Sequence, residues 1–406
     1  MTRAYAVRTV TAVAVALLAA TGLEAQTVLL ELENATEDTV LKVQDDAGFV
    51  ALGTFNSGTI PATGAGVRMM WFPTRAGFRA GRVGGTQWDL TDLGYYSVGM
   101  GYNVTASASG AVAMGQSTTA SGDGAFAAGI SSEATMLTSI ALGHTAHAYG
   151  DYSFAAGSGV TTLGSGATAI GLNAEANGDV SVALGNGVAG GNYSLAVGNA
   201  AEASAPFSIA LGTAVSAGGS YSVALGHRAS TASHQGAFVY ADRSTTTDSM
   251  VATADHEFAV RAAGGFRMRT RADLATGCNL TEASADWVCT SSRDVKEGFQ
   301  PVDAEAVLRG VAGLPIQRWR FRGADPSVWH IGPMAEDFWA AFGLGHGDKA
   351  ISTVDLDGVS LAAIQALEAR TRDVEALRAE VAELRAANAE LRERLDRLLA
   401  ILEGGG

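Results

Sequence analysis

Few residues of this 406-residue chain have the type and spacing to do chemistry. Ser291 and Lys296 stand five residues apart in Thr290-Ser-Ser-Arg-Asp-Val-Lys296. Serine is a weak nucleophile until a base removes its proton, and a lysine serves as that base only where desolvation brings its pKa from about 10.4 toward neutrality. A spacing of five does not place both on one helical face, where neighbours lie three or four apart. Ser291 is therefore expected on an extended segment or loop and Lys296 in the following turn. Taken alone, Ser-x-x-x-x-Lys is a weak signal. Cys278 and Cys289 are the only cysteines; in an oxidising compartment they are candidates for a disulfide, within one chain or between neighbouring chains, against two free thiols. His144 and His147 have a metal-like spacing but no third or fourth ligand beside them. The glycines from Gly185 to Gly191 precede no helix whose amino end could hold a phosphate. No metal and no cofactor is expected.

The elements that must carry these residues are announced by a repeat. A five-residue phrase, small, large apolar, small, large apolar, glycine, runs from Ser97-Val-Gly-Met-Gly101 through Ser139-Ile-Ala-Leu-Gly143 and Ser181-Val-Ala-Leu-Gly185 to Ser222-Val-Ala-Leu-Gly226. Ten copies occur, their glycines 14 residues apart except for one step of 13 between Gly185 and Gly198. Alternation with period two is strand periodicity. Five residues cannot make a self-sufficient strand, so each unit reads as one turn of a solenoid, hydrogen-bonded to the turns before and after. A second small residue follows each glycine by five places, as at Ala106, Ala120, Ala134, Thr162 and Gly190. Small residues at both places predict a narrow coil that excludes larger side chains. Val182, Leu184, Ile209, Leu211, Val223 and Leu225 then point outward, as an apolar stripe of the kind that covers an oligomer interface.

Composition fits this reading. Glycine contributes 51 residues, charged residues only 17%, and the net charge is -14. No glycine recurs at every third position, which excludes collagen, and 47% hydrophobic content excludes a disordered chain. Between Val83 and His227 there is no Lys or Arg. A surface without bases cannot neutralise phosphates, so no nucleic acid is expected as a partner. Arg68, Arg75, Arg79 and Arg82, with Trp71, Phe72 and Phe78, form a basic aromatic cluster before the first repeat, expected to cap the open solenoid end, with a ligand or partner site as the alternative. Residues 1–25 read as a secretory signal: Arg3 and Arg8, an apolar stretch from Thr9 to Gly22, and Ala25 before the cut. No later segment reaches the roughly 18 apolar residues of a membrane helix, so no membrane span is expected after signal removal.

The chain closes on heptads. Leu367, Val374, Val381, Asn388, Leu395 and Leu402 occupy one seam position, and Leu377, Leu384, Leu391 and Leu398 the other, with Arg370 irregular at the start. A coiled coil is expected, with Asn388 specifying register at some cost in stability. The heptads leave two or three strands open; the solenoid stripe argues for three.

The Ser-x-Ala-x-Gly units resemble the YadA-like heads of trimeric autotransporter adhesins over about residues 94–240. The resemblance implies a left-handed parallel β-roll that trimerises through its apolar faces. That family finishes in an outer-membrane strand anchor, which is not expected in a chain ending Ile401-Leu-Glu-Gly-Gly-Gly406. Residues 291 to about 403 resemble the intramolecular-chaperone domain of endosialidases and trimeric tail fibres. The likeness is carried by Ser291 with Lys296, by His330-Ile-Gly-Pro-Met-Ala-Glu-Asp337, by Ile351-Ser-Thr-Val-Asp-Leu-Asp-Gly-Val359 and by the terminal heptads. It implies a domain that trimerises, brings the β-stranded stalk into register, and then severs itself through a Ser/Lys pair. Ser291 would attack the carbonyl of Thr290, with Lys296 as base, in a pocket that assembly shields. Ser292 stands where that family has an acidic residue and Glu336 where it has Gln, which leaves the nucleophile open between Ser291 and Ser292.

The expected fold is thus mainly β, a left-handed parallel β-roll of 14-residue repeats followed by a small α/β domain and a trimeric coiled coil. Its expected segments are a signal at 1–25, a β cap region at 26–93, the roll at 94–240, a β connector with the cysteine pair at 241–290, the chaperone domain at 291–357 and the helix at 358–403. The expected function is a secreted or cell-surface homotrimeric fibre with an adhesive role toward a surface receptor or matrix ligand, its only catalysis one cut between Thr290 and Ser291. The alternative is an uncut adhesin trimer standing on the last domain as a permanent foot. A glycan hydrolase is disfavoured, because the roll has few acids and none visibly paired across a cleft.

Overall fold

The computed structural model describes residues 28–33, 39–44, 48–284 and 286–403. The expected signal at 1–25 lies outside these. The chain divides into two units, Met1–Cys289 and Thr290–Gly406.

Among the described residues the regular structure of the first unit is β apart from two 3-10 turns, Pro73–Arg75 and Leu90–Asp92. Strands Val28–Glu33, Thr39–Gln44 and Gly48–Ala51 form a small antiparallel sheet. A solenoid follows, in which most turns contribute a five-residue strand and a two-residue strand, fused into one strand at Val182–Ala189 and Leu195–Ala203. Val98, Val112, Phe126, Ile140, Phe154, Thr168 and Val182 pair in succession, all in parallel register, and the column continues through Leu195, Ile209 and Val223. Parallel pairing extends past the repeats at both ends, to Phe78 on one side and to Phe238 and Phe258 on the other. Strands Phe266–Arg269, Gly277–Leu280 and Trp287–Cys289 then make a three-stranded antiparallel sheet.

Side-chain size dictates this coil. Ser97, Ser139, Ser181 and Ser222 at the first phrase position, and Ala113, Ala141, Ala183 and Ala224 at the third, are buried in the lumen. Each closing glycine is needed where backbones touch: Gly129 has φ +120°, and a Cβ there would collide with the carbonyl oxygen of Gly143 one turn on. The 13-residue step is absorbed by a register shift between Asn186 and Gly187. Its effect corrects the sequence reading at one place: Ala189, not Gly190, continues the column between Ala176 and Ala203. A further buried column that the sequence reading did not mark runs through Val104, Thr118, Ser132, Ala146 and Val160 to Val215. The large apolar residues Val182, Leu184, Ile209, Leu211, Val223 and Leu225 are each only partly covered within the chain.

The antiparallel strands Gly66–Phe72 and Gly77–Val83 close the first turn. Arg79 lies opposite Gly99 and fills the space a side chain would otherwise occupy there. Its guanidinium is fully buried and donates to the carbonyls of Phe78, Ser97 and Ala106 and to the Ser97 hydroxyl, at 2.8–3.0 Å. Burial pulls its pKa down to about 10, which leaves it charged at neutral pH. The other three arginines stack on rings, Arg68 on Trp88, Arg75 on Tyr95 and Arg82 on Tyr102. The acids of the roll have local duties as well. Asp123, Asp151 and Asp179 accept from the backbone N–H groups of Ser109, Leu137 and Ser165, one turn earlier.

The second unit is small and helical. Helix α1 spans Ala304–Gly313, α2 spans Ala335–Phe342 and α3 spans Thr353–Glu403. Asp303 caps α1 by accepting from the Ala306 N–H at 2.9 Å. Strands Gln317–Trp319 and His330–Gly332 pair between α1 and α2. Phe338, Val359, Ala363 and Ala366 are the buried apolar residues here, and α1 packs along the first turns of α3. Among the described residues no helix is long and apolar enough to cross a membrane.

Candidate functional site

A short turn solves the spacing problem posed by Ser291 and Lys296. Arg293–Val295 form one 3-10 turn, flanked by extended backbone at Ser292 (φ -66°, ψ 150°) and Lys296 (φ -123°, ψ 148°). The turn folds the chain back, so that Lys296 Nζ donates to Ser291 Oγ at 2.6 Å. This is a distance for direct proton transfer. Ser292 does something else. Its Oγ accepts from the Asp294 N–H at 3.2 Å and donates to the Asp294 carboxylate at 3.1 Å, which makes it the cap of the turn. Of the two serines, only Ser291 has its hydroxyl on the lysine.

Both Ser291 and Lys296 are exposed in the single chain. In this contact Lys296 Nζ is the donor; base chemistry needs the reverse, with the amine accepting the hydroxyl proton. Burial is what favours a neutral amine, and within the protomer Lys296 has no such cover. Phe299, stacked under Arg293 at 5.3 Å, is the neighbouring apolar group and is itself exposed.

Glu336, where the resembling family has Gln, begins α2 and accepts from Lys349 Nζ at 2.8 Å. That bond holds the Glu336 carboxyl below the usual range and the Lys349 amine above it. Lys349 is thereby engaged as a cation. Arg370, the irregular heptad residue, turns to α1 and clasps the Glu305 carboxylate through Nε and a terminal nitrogen. The clasp lowers the Glu305 pKa and raises that of Arg370. Sequence reasoning had no access to this pair, because its partners are 65 residues apart.

Beyond Arg370 the seam residues are uncovered. Leu377, Leu384, Leu391 and Leu398 are 58–62% exposed on a helix of 51 residues, about 75 Å long at 1.5 Å per residue. Cys278 and Cys289, left open between pairings by the sequence, are bonded to each other within one chain. The histidine pair is dispersed: His144 contacts Thr145, while His147 stacks on Tyr149, whose hydroxyl donates to Glu133. Burial and that carboxylate push the Tyr149 phenol up to about 12. Among the described residues no group of three or more His, Cys, Asp or Glu side chains is placed to hold a metal ion.

A mainly β solenoid therefore precedes a small helical unit that carries a Ser/Lys contact near its start. Comparison with known families gives the same order. Residues 93–118, 106–132, 134–159, 163–187 and 189–214 match the model of the YadA head domain repeat, and residues 291–343 match the model described as the chaperone of endosialidase. The chain is similar to these families over those stretches. No curated protein matches it.

Proposed function

We propose that the chain forms a secreted or cell-surface homotrimeric fibre of adhesin type, whose C-terminal unit drives assembly and then severs the chain between Thr290 and Ser291. The observation that carries this reading is the 2.6 Å contact of Lys296 Nζ with Ser291 Oγ, in the stretch similar to the endosialidase chaperone. In the proposed step a neutral Lys296 takes the Ser291 hydroxyl proton, and Oγ attacks the carbonyl carbon of Thr290. The C–N bond breaks, its nitrogen receives the proton from Lys296, and the Thr290 acyl group is left as an ester on Oγ. Water then hydrolyses the ester, giving a Thr290 carboxylate and restoring the Ser291 hydroxyl. The trimer supplies what one chain lacks, a cover for Lys296, so the cut reports assembly.

The apolar stripe of the roll and the exposed leucine seam support association of identical chains, since an exposed apolar surface of this extent marks an interface. The adhesive role rests on the similarity to YadA heads, with an unnamed surface receptor or matrix ligand as partner. A denaturing gel tests the cut. Wild-type protein is expected to give two bands, and Ser291→Ala one full-length band; a folded wild-type trimer that stays a single band refutes the reading.

A further inference from the structure

The chain reaches the proposed cut from a covalently closed hairpin. Cys278 and Cys289 lie directly opposite each other on strands Gly277–Leu280 and Trp287–Cys289 and are bonded. The second of these strands is three residues long, pairs on one side only, and is exposed at every residue. Its one ring contact is the edge of Trp287 against Phe266, at 6.1 Å. A strand so short at a sheet edge holds weakly by hydrogen bonds alone, so the disulfide is what fixes Cys289. Cys289 immediately precedes Thr290, whose carbonyl is the proposed electrophile. On the far side, the Ser292 cap fixes the backbone immediately after Ser291. Along the chain only Thr290 and Ser291 lie between the two anchors.

We infer that the Cys278–Cys289 disulfide is a positioning element for the cut, and that it makes the cut contingent on oxidation. This rests on the cleavage reading above. Intramolecular attack is fast in proportion to how narrowly the reacting atoms are held, and a misplacement of about 1 Å can cost on the order of a hundredfold. With the clamp open, Cys289 follows a fraying strand. With it closed, both flanks of the cut bond are fixed. Closure needs an oxidant of the disulfide class: two thiols give up two protons and two electrons, and the incoming disulfide leaves as two thiols. The cut itself consumes no electrons. A chain held reduced before export would therefore be cut slowly, and the same chain would mature once oxidised. The clamp also outlasts the reaction, because the new Thr290 carboxylate stands one residue beyond it.

The test uses the full chain refolded from denaturant, either with a glutathione disulfide couple or with dithiothreitol, beside a Cys278→Ser/Cys289→Ser double variant. The rate of cutting is read on denaturing gels, the trimer by sedimentation, and the pH dependence of the rate alongside. The expected result is a cut at least about tenfold slower in the reduced wild type and in the double variant. Both should keep the trimer and the wild-type pH midpoint, and the double variant should ignore the reductant. Equal rates in oxidised and reduced trimers overturn the inference and leave the cleavage reading standing. So does a rate loss that tracks loss of trimer, which would make the disulfide merely structural. An oxidised wild-type trimer that is never cut overturns the cleavage reading and this inference with it.

Discussion

Lys296→Arg separates a base from a hydrogen-bond donor. The contact to be perturbed is a single 2.6 Å bond from Lys296 Nζ to Ser291 Oγ, and arginine keeps the positive charge, the reach and the donor. It does not supply a neutral nitrogen. At pH 7 a solvated lysine with a pKa of about 10.4 is neutral in roughly one molecule in 2,500, whereas a guanidinium stays protonated throughout. The exchange should therefore slow the cut at least about 100-fold. The assay is a time course of the two bands at fixed pH, run on material shown by sedimentation to be trimeric. In the wild type the rate should climb with pH, toward a plateau where the amine is fully neutral; in Lys296→Arg no plateau should be reached. Cutting of Lys296→Arg within tenfold of wild type would refute the base assignment and reduce Lys296 to a structural donor.

Ser292→Ala removes the cap of the 3-10 turn, which should loosen it by about 1 kcal/mol yet still give two bands, whereas Ser291→Ala gives one. Leu384→Asp places a charge in the exposed heptad row, and sedimentation should show the loss of trimer together with the loss of cutting. Arg79→Ala empties the cap: the carbonyls of Ser97 and Ala106 keep their backbone donors from Phe78 and Gly94, so the cost should be about 3 kcal/mol, read as faster amide exchange in the first turns of the roll. The Asp242 carboxyl is held at about 2 by the Ser244 hydroxyl, the Ala263 N–H and Arg261. Because its folded pKa lies below the unfolded value of about 3.9, its stabilisation is complete above pH 4 and is lost as the pH falls through 2. Acid titration of the last solenoid turns by circular dichroism should show that loss in the wild type and not in Asp242→Asn.

The solenoid was legible because two independent signals agree on it, parity within each phrase and a period of 14 between phrases. The column from Val104 to Val215 has the same period, yet its members range from Ala146 to Val160 in size. The lumen tolerates that range at this place, so no single residue type marked it. Ala189 was missed for a different reason: counting from the glycine assumes that the turn between strands has fixed length, and the missing residue comes out of that turn, between Asn186 and Gly187. The fate of Arg79 was hidden because a charged residue reads as exposed. Its burial follows from the open end of the coil, where carbonyls and the space beside Gly99 call for one long, many-handed donor. At the candidate site, residue types and spacing pointed to Ser291 and Lys296, while which hydroxyl meets the lysine could be read only from the turn. Only its geometry sends one hydroxyl to the lysine and the other to Asp294.

One chain is incomplete in the same way at three places. Leu211 and Leu225 on the roll are only partly covered, Leu384 and Leu391 on α3 are more than half exposed, and Lys296 is in water. Covering the first two is favourable by about 25 cal/mol for each Å² of apolar surface removed from water, and this is the drive for association. Covering the third is unfavourable for a charged amine, which responds by giving up its proton. On the proposed function, the event that stabilises the trimer is also the one that lets the lysine act as a base. On that proposal an order of events follows without any added control: the seam must close before Ser291 can be activated, and a chain that fails to assemble keeps its Thr290–Ser291 bond intact. Cutting before assembly would remove the trimerising helix from the roll that needs it, so a dormant monomer is what such a fibre requires.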